Sequence, residues 1–170
     1  AIAASYHAGV EIQEAANALN RFIPPKRRLE LKAQKHGVSI YDDFAHHPTA
    51  IRKTLEALKA SGRHQRIFAV LECASYTMRT GLHGENIAKA LELADQVILL
   101  QPEFSLERLH INNRERFKIL PNTETIIKEL VRQTAYNDAI LIMSNRGFEN
   151  IHQRLVEAME HHNQSMVNEQ

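Results

Sequence analysis

Short apolar runs alternate with amphipathic stretches along most of this chain, and this alternation limits what it can fold into. The apolar runs are rich in Val, Ile and Leu and are predicted as strands at 38–41, 66–71, 96–100, 117–120 and 139–143. The stretches between them have apolar residues at helical spacing and are predicted as helices at 48–60, 85–94, 122–131 and 148–159. Strands that alternate with helices form mainly parallel sheets. We therefore predict an α/β domain whose sheet is covered by helices on both faces.

A helical tail is predicted in front of this domain. The pattern from Ile2 to Phe22 has apolar residues at helical spacing, is interrupted at Gly9 and is stopped by Pro24-Pro25. Two prolines give a stiff, extended connection, which is typical of an interdomain hinge. Because the chain starts inside a helical pattern, we expect it to be a piece of a longer protein. The predicted parts are a helical tail at 1–23, a hinge at 24–27, a main domain at 28–162 and a disordered tail at 163–170.

The composition argues against several classes of function. Lys and Arg total 21 against 20 Asp and Glu, so a net charge of +1 gives no electrostatic case for a nucleic acid or an anionic membrane as partner. No apolar run approaches the roughly 20 residues that span a bilayer. The single cysteine, Cys73, cannot form an internal disulfide and is expected to pack at a strand end. These observations indicate a cytoplasmic protein.

Three polar loops follow predicted strands, at 42–49, 72–84 and 144–148. In a parallel sheet such loops gather at the carboxyl ends of the strands, where ligands bind. The first loop is the densest, with two carboxylates and two imidazoles. Either they bind a nucleotide or a metal, or the aspartates cap the following turn and the histidines are solvated. No cysteine or spaced histidine pair completes a tetrahedral zinc site, which disfavours a zinc hydrolase, and we predict no metal ligands here.

Residues 42–48, Asp-Asp-Phe-Ala-His-His-Pro, resemble the motif that opens the C-terminal, Rossmann-like domain of Mur ligases. Residues 26–30, Lys-Arg-Arg-Leu-Glu, resemble the segment that follows the hinge from the central ATPase domain of that family. The resemblance implies that 1–23 are the last helices of the central domain. It also implies that Arg28 reaches the ATP phosphates, that Asp43 and Phe44 bind the nucleotide, and that His46 is catalytic. An arginine fork suits phosphate oxygens and a carboxylate at a strand end suits ribose hydroxyls. The alternative for Arg28 is a surface ion pair with Glu30.

The second loop indicates which branch of the Mur ligase family this chain resembles. Residues 72–83 resemble the Glu-Pro-Arg-Ser-Asn-Thr-Met-Lys-x-Gly-x-His stretch of the branch that reuses a murein tripeptide. Cys73, Ala74 and Tyr76 depart from that pattern. By this resemblance four side chains are candidate donors to an anionic peptide: Ser75, Thr77, Arg79 and His83. The alternative is a solvated loop in which Arg79 contacts only water.

The third loop resembles the family's Met-Ser-Asn-Gly-Gly-Phe-Gly-Gly-Ile-His over residues 143–152. Arg146, Glu149 and Asn150 stand where the family has glycine. Ser144 and Asn145 are candidates to bind the carboxylates of the peptide, and a role as a helix cap remains the alternative.

The resemblance implies an ATP-dependent ligase that attaches L-Ala-γ-D-Glu-meso-diaminopimelate to UDP-N-acetylmuramate through an acyl phosphate. The implied cofactors are ATP and Mg²⁺, and the implied process is bacterial peptidoglycan recycling, which serves cell shape and division. No phosphate-binding loop of the Gly-x-x-x-x-Gly-Lys-Ser/Thr type occurs in the sequence, so we expect it in a central domain outside this chain. The N-terminal and central domains would then be partners, and this piece alone would be inactive. Two alternatives stay open: the L-alanine-adding ligase of the same family, and a non-catalytic nucleotide- or peptide-binding module.

Overall fold

The computed structural model describes residues 1–23 and 25–168, with side chains described as far as His162. Six strands form one sheet: β1 (Glu30–Lys35), β2 (Val38–Asp43), β3 (Ile67–Leu71), β4 (Gln96–Leu100), β5 (Phe117–Leu120) and β6 (Ala139–Met143). Their order across the sheet is β1-β2-β6-β3-β4-β5. All neighbours are parallel except β1, which runs antiparallel to β2. The predicted mainly parallel sheet is therefore confirmed.

Helices cover both faces of the sheet, as the sequence predicts. The helices that follow β2 and β3 in the chain pack against one face, and the two that follow β5 and β6 pack against the other. Short 3₁₀ turns lie at Leu106–Leu109, Arg114–Arg116 and Phe148–Asn150. The helices are α1 (Ile2–His7), α2 (Ile12–Leu19), α3 (Pro48–Ala60), α4 (Tyr76–Arg79), α5 (Gly84–Leu91), α6 (Thr123–Gln133) and α7 (Ile151–Asn168).

The core forms two apolar layers, one on each side of the sheet. In β3 all five residues are buried. Ile67, Ala69 and Leu71 belong to the layer under α3 and α5, whereas Phe68 and Val70 belong to the layer under α6 and α7. A central parallel strand that is buried on both faces needs apolar residues at every position. This burial is why β3 stands out in the sequence as an unbroken apolar run.

Strand β1 is absent from the sequence prediction. None of its residues is fully buried, and four of the six are polar or charged: Glu30, Lys32, Gln34 and Lys35. It is an edge strand, so it has no need of an apolar run. The link to β2 is His36-Gly37, with φ of 49° and 79°. Two successive residues of positive φ make the tight hairpin turn that the strand twist favours.

The two ends of the chain differ from the prediction in detail. The helical tail consists of two helices separated at Gly9, where φ is 87°. Phe22 and Ile23 are 62% and 87% exposed. Pro24 lies outside the described residues, so the predicted hinge is described only from Pro25. At the other end the predicted disordered tail is wrong for 163–168, because α7 continues to Asn168.

The continuation of α7 has a local reason. No glycine or proline follows Ile151 in the sequence, so no residue there breaks the helix. The last two residues of the predicted tail, 169–170, lie outside the described residues. Within the described part of the chain, no helix has both the length and the apolar character needed to cross a bilayer.

Candidate functional site

The three polar loops meet at the carboxyl edge of the sheet. Strand β6 lies between β2 and β3, so the loops that follow these strands are neighbours in space. Two backbone hydrogen bonds link them where the strands end: the Ser144 N–H donates to the Asp43 carbonyl at 3.2 Å, and the Glu72 N–H donates to the Met143 carbonyl at 3.1 Å. The predicted gathering of the loops 42–49, 72–84 and 144–148 is therefore confirmed.

Asp43 is a buried anchor at this edge, with 3% of its surface exposed. One carboxylate oxygen accepts the Leu29 N–H and the other accepts the Ala45 N–H, each at 2.7 Å. The interpretation that an aspartate of this loop caps the following turn is confirmed. A ribose hydroxyl would have to share this carboxylate with two backbone donors, using lone pairs that they leave free.

Arg27, predicted to be the last residue of the hinge, instead joins the segment after the hinge to two strands. Its Nε donates to the Asp42 carboxylate at 3.1 Å, and its Nη2 donates to the Ser144 carbonyl at 2.6 Å. The guanidinium carbon also lies 5.3 Å from the centre of the Phe44 ring. A backbone hydrogen bond joins the same two segments, because the Phe44 N–H donates to the Arg27 carbonyl oxygen at 2.9 Å. Arg27 is thus part of the folded domain.

Arg28, Phe44 and His46 form a continuous group next to this anchor. The exposed Arg28 guanidinium lies 5.7 Å from the centre of the Phe44 ring, within the range of a cation–π contact. The His46 ring lies edge-on to the same phenyl ring at 5.1 Å, and its Nδ1 is 2.9 Å from the Phe44 carbonyl oxygen. Three of the four residues predicted for the nucleotide and the catalytic role are therefore brought together.

The alternative partner of Arg28 is engaged elsewhere. The Glu30 carboxylate accepts the Arg27 N–H at 2.8 Å and the Lys32 ammonium at 3.3 Å. The hydrogen bond from the Arg27 backbone is the main reason that the pKa of Glu30 lies below its usual value. Among the described residues no carboxylate lies within 4 Å of the Arg28 guanidinium. The surface ion pair between Arg28 and Glu30 is not formed.

The loop after β6 is tied into the interior. Ser144 is 1% exposed, and its hydroxyl donates to Glu72 at 2.5 Å and accepts the Arg146 N–H at 2.9 Å. Through Glu72, this hydroxyl links the end of β6 to the end of β3. It caps a local turn and does not cap a helix, which was the alternative role predicted for it. The Asn145 Oδ1 is buried and has no hydrogen-bond donor within the described part of the chain. This unsatisfied atom is an acceptor, whereas a carboxylate would need the donor Nδ2 of the same amide.

The loop after β3 presents its predicted residues in different ways. The Ser75 hydroxyl caps α4 by accepting the Met78 N–H at 3.3 Å, and Thr77 is exposed. The Arg79 guanidinium lies 3.5 Å from the Glu103 carboxylate, so the alternative in which it contacts only water is wrong. His83 lies at the start of α5, with its ring 5.2 Å from that of His47.

Cys73 is buried in the layer under α3 and α5. Burial, with a smaller contribution from the neighbouring Glu72 carboxylate, raises the pKa of its thiol to about 12. A thiol of this kind stays protonated and is a poor nucleophile. The interpretation of Cys73 as a packing residue is confirmed.

Residues 27–146 match the family model described as Mur ligase, glutamate ligase domain. The match covers the motif at 42–48, all but Lys26 of the motif at 26–30, and all six strands of the sheet. This chain belongs to the Mur ligase family.

Relatives of this Mur ligase domain fall into two groups by name. Ligases from Haemophilus influenzae and Escherichia coli, both named UDP-N-acetylmuramate–L-alanyl-gamma-D-glutamyl-meso-2,6-diaminoheptandioate ligase, are 44% and 42% identical over 163 and 171 residues. Each comparison covers 94% of this chain and 36% of the relative. A UDP-N-acetylmuramate–L-alanine ligase from Renibacterium salmoninarum is 30% identical over 149 residues, 83% of this chain and 32% of the relative. This chain thus spans about a third of the length of these relatives.

Solved structures of Mur ligases have the same fold. The murein peptide ligase from Psychrobacter arcticus matches with a TM-score of 0.71 and 38% identity, over 93% of this chain and 35% of that one. A domain assigned to a UDP-N-acetylmuramate:L-alanyl-gamma-D-glutamyl-meso-diaminopimelate ligase from Haemophilus ducreyi matches with a TM-score of 0.67 and 38% identity, over 78% of this chain and 99% of that one. These likenesses confirm the Rossmann-like α/β fold.

Several residues of this Mur ligase site are not predicted from the sequence. Arg27 and Glu72 were named only as parts of motifs, although each organises the carboxyl edge. His152, in the first turn of α7, lies with Nε2 3.5 Å from the Asp42 carboxylate. Burial lowers the pKa of His152, and the nearby Asp42 opposes that shift. Arg27 and Glu72 lie next to strand or motif boundaries, and this position is what in the sequence could have indicated their role at the carboxyl edge. Among the described residues no group of three or more His, Cys, Asp or Glu is arranged to hold a metal ion.

Proposed function

We propose that the protein containing this Mur ligase domain joins L-Ala-γ-D-Glu-meso-diaminopimelate to UDP-N-acetylmuramate at the expense of ATP. One observation carries the proposal: the identity of 44% over 94% of this chain to a relative named for that reaction, against 30% to an alanine-adding ligase. The UDP-sugar site and the phosphate-binding loop then lie in parts of the protein outside this chain. Residues 1–23 are the end of the central domain, and the hinge lies at 24–26, before Arg27 enters the folded domain.

The proposed reaction has two chemical steps. The carboxylate of UDP-N-acetylmuramate attacks the γ-phosphorus of ATP, which gives an acyl phosphate and releases ADP. The amine of the tripeptide then attacks the acyl carbon and expels inorganic phosphate, which leaves an amide. When bound, Mg²⁺ neutralises phosphate charge. We expect the metal to be bound mostly by the central domain, together with the ATP phosphates.

This chain's part in nucleotide binding rests on the group of Arg28, Phe44 and His46. The Arg28 guanidinium is exposed and held against the Phe44 ring, so its donors are available to phosphate oxygens. His46 is placed beside the same ring, where it is positioned to orient or move a proton near the reacting centre. Asp43 holds the backbone of this group in place and offers its remaining lone pairs to the ribose.

The loop after β3 and the end of β6 are the proposed contacts of the tripeptide. Arg79 is paired with Glu103 at 3.5 Å in an exposed position. Exposed pairs contribute little free energy, so a peptide carboxylate can replace Glu103. Thr77, His83 and Asn145 supply further donors, and Ser75 and Ser144 hold the two loops in shape. We infer a bacterial cytoplasmic location, where ATP and UDP-sugars are present, and a role in peptidoglycan recycling.

Release of ADP by the full-length protein tests this function. The assay contains UDP-N-acetylmuramate, Mg-ATP and one of two amines, the tripeptide or L-alanine. We expect faster turnover with the tripeptide. A preference for L-alanine would assign the protein to the alanine-adding group, and no ADP with either amine would leave a binding module as the function.

A matched pair of variants controls for the nucleotide part of the proposal. Arg28→Gln removes the exposed cation above Phe44, and we expect it to raise the KM for ATP and lower kcat. Arg63→Gln removes an exposed cation from the opposite, amino end of the strands, between α3 and β3, and we expect it to leave both constants unchanged. Equal constants in the two variants would contradict a role for Arg28 at the phosphates.

A further inference from the structure

The two edge strands of the sheet differ in character. At one edge, four of the six residues of β1 are polar or charged. At the other edge, β5 reads Phe-Lys-Ile-Leu, and all four residues are half-buried. Its single charged residue, Lys118, is paired with Glu129 of α6. Proteins usually protect an edge strand with charged side chains, because an apolar edge is a template for pairing with another strand. The β5 edge lacks this protection.

The backbone of β5 is also open on its outer side. Strand β5 pairs in the sheet with β4 alone. At its start the Phe117 N–H donates to the Arg114 carbonyl, and at its end the Leu120 carbonyl accepts the Gln101 N–H at 2.8 Å. Between these two contacts, no described group outside β4 forms a hydrogen bond with the β5 backbone. The outward N–H and C=O groups are therefore available to a strand of another molecule.

An apolar groove lies beside this edge. It has a volume of about 600 Å³ and is formed by β5 and the segment 106–114, which contains the 3₁₀ turn Leu106–Leu109. Its apolar lining residues are Leu106, Ile111, Phe117 and Ile119. The Leu106 side chain is 40% exposed, and the other three are half-buried. Contiguous apolar surface with a polar rim is typical of a protein–protein contact.

The charged residues of the groove indicate what covers it. Glu107 and Arg114 both line the groove and are both exposed. Neither has an oppositely charged group within 4 Å among the residues that the structure describes. A partner of one sign would attract one of these two residues and repel the other. A second copy of the same groove instead offers its Arg114 to Glu107 and its Glu107 to Arg114, so the groove is complementary in charge to itself.

We propose that the β5 edge and this groove bind a second copy of the chain about a twofold axis perpendicular to the sheet. The two β5 strands then lie antiparallel, the two sheets continue into one, and the two grooves meet on the same face. Each pair of Glu107 with Arg114 occurs twice, as a twofold interface requires. The proposal goes beyond the ligase function and does not depend on it. Because β5 is at the opposite edge from β1, the segment after the hinge stays clear of the interface.

Sedimentation velocity of the 170-residue chain tests the proposal. A four-residue edge strand and one groove make a small interface, so we expect weak association, with a dissociation constant on the order of 100 µM. The sedimentation coefficient is therefore expected to rise reversibly from that of a monomer towards that of a dimer between about 10 µM and about 1 mM protein. A coefficient that stays at the monomer value over this range would overturn the proposal.

Charge reversals show whether the association uses this groove. Glu107→Arg and Arg114→Glu each place like charges opposite one another, and each is expected to weaken association about tenfold or more. A chain with both changes exchanges the two signs and restores the pairs, so it is expected to associate like the unaltered chain. The matched control is Arg63→Glu, which reverses an exposed charge between α3 and β3 and is expected to have no effect.

The double variant also separates this interface from other contacts. Association through the exposed apolar side chains of the tail would be the same in all of these variants. Single reversals that associate as strongly as Arg63→Glu, or a double variant that does not recover, would overturn the proposal.

Discussion

At the scale of single residues, Arg27 and Asp42 form the pair on which the carboxyl edge depends. The Asp42 side chain is 7% exposed and the Arg27 side chain 31%. A buried carboxylate that loses its cation still bears its desolvation free energy, and no ion pair offsets it. The motif in the sequence identifies Arg28, Phe44 and His46, but it gives no indication that Arg27 reaches Asp42, fifteen positions away, and the Ser144 carbonyl.

We therefore predict that Arg27→Gln lowers the free energy of unfolding by about 2 kcal/mol, which allows for the partial exposure of the arginine. Urea unfolding of the 170-residue chain measures the change. The matched control is Arg52→Gln, whose pair with Glu56 is exposed and contributes at most about 0.5 kcal/mol. If the two variants lose the same free energy, the pair of Arg27 and Asp42 has no special role.

At the scale of the elements, the contact of α5 with the 3₁₀ turn Leu106–Leu109 depends on the small size of Gly84. A Cβ at Gly84 would stand 2.3 Å from the Arg108 carbonyl oxygen, so the two backbones approach as closely as glycine allows. This approach could not be predicted, because Gly84 occupies the first position of a helix with ordinary backbone angles. The positions of α3, α5, α6 and α7 followed from their apolar periodicity. The short helix α4 lies in a stretch predicted as a loop, and β1 was missed because an edge strand lacks an apolar run.

Gly84→Ala is predicted to reduce the free energy of unfolding by about 1–3 kcal/mol, since a backbone has to move to admit the methyl group. Gly147→Ala serves as the control, because φ is −77° there and the space for a Cβ is open. This control is expected to be neutral or to stabilise by up to about 1 kcal/mol. Thermal unfolding of both variants gives the comparison, and an unaffected Gly84→Ala would rule out the close approach.

At the scale of the whole molecule, the first 23 residues contribute little to the two apolar layers. The side chains of the tail that are most apolar, such as Tyr6, Ile12, Phe22 and Ile23, are exposed. Both layers of the core are formed by residues from β2 onwards. This distribution agrees with the proposal that the tail belongs to a central domain outside this chain.

We predict that a chain shortened to residues 25–170 keeps its free energy of unfolding to within about 1 kcal/mol, because exposed side chains gain little from folding. It is also expected to aggregate less, since the exposed apolar residues are removed. Urea unfolding and light scattering measure the two effects. A loss of several kcal/mol would mean that the tail is an integral part of this domain.

The sequence alone determined the α/β class, five of the six strands, the three loops at their carboxyl ends and the family, because local periodicity and motifs record which residues must be buried or must meet a ligand. Only the tertiary structure decided that β6 lies between β2 and β3 and that Arg27 binds Asp42 and Ser144. These features join residues far apart in the chain. They arise from the pairing of strands and the packing of helices, which no local pattern encodes.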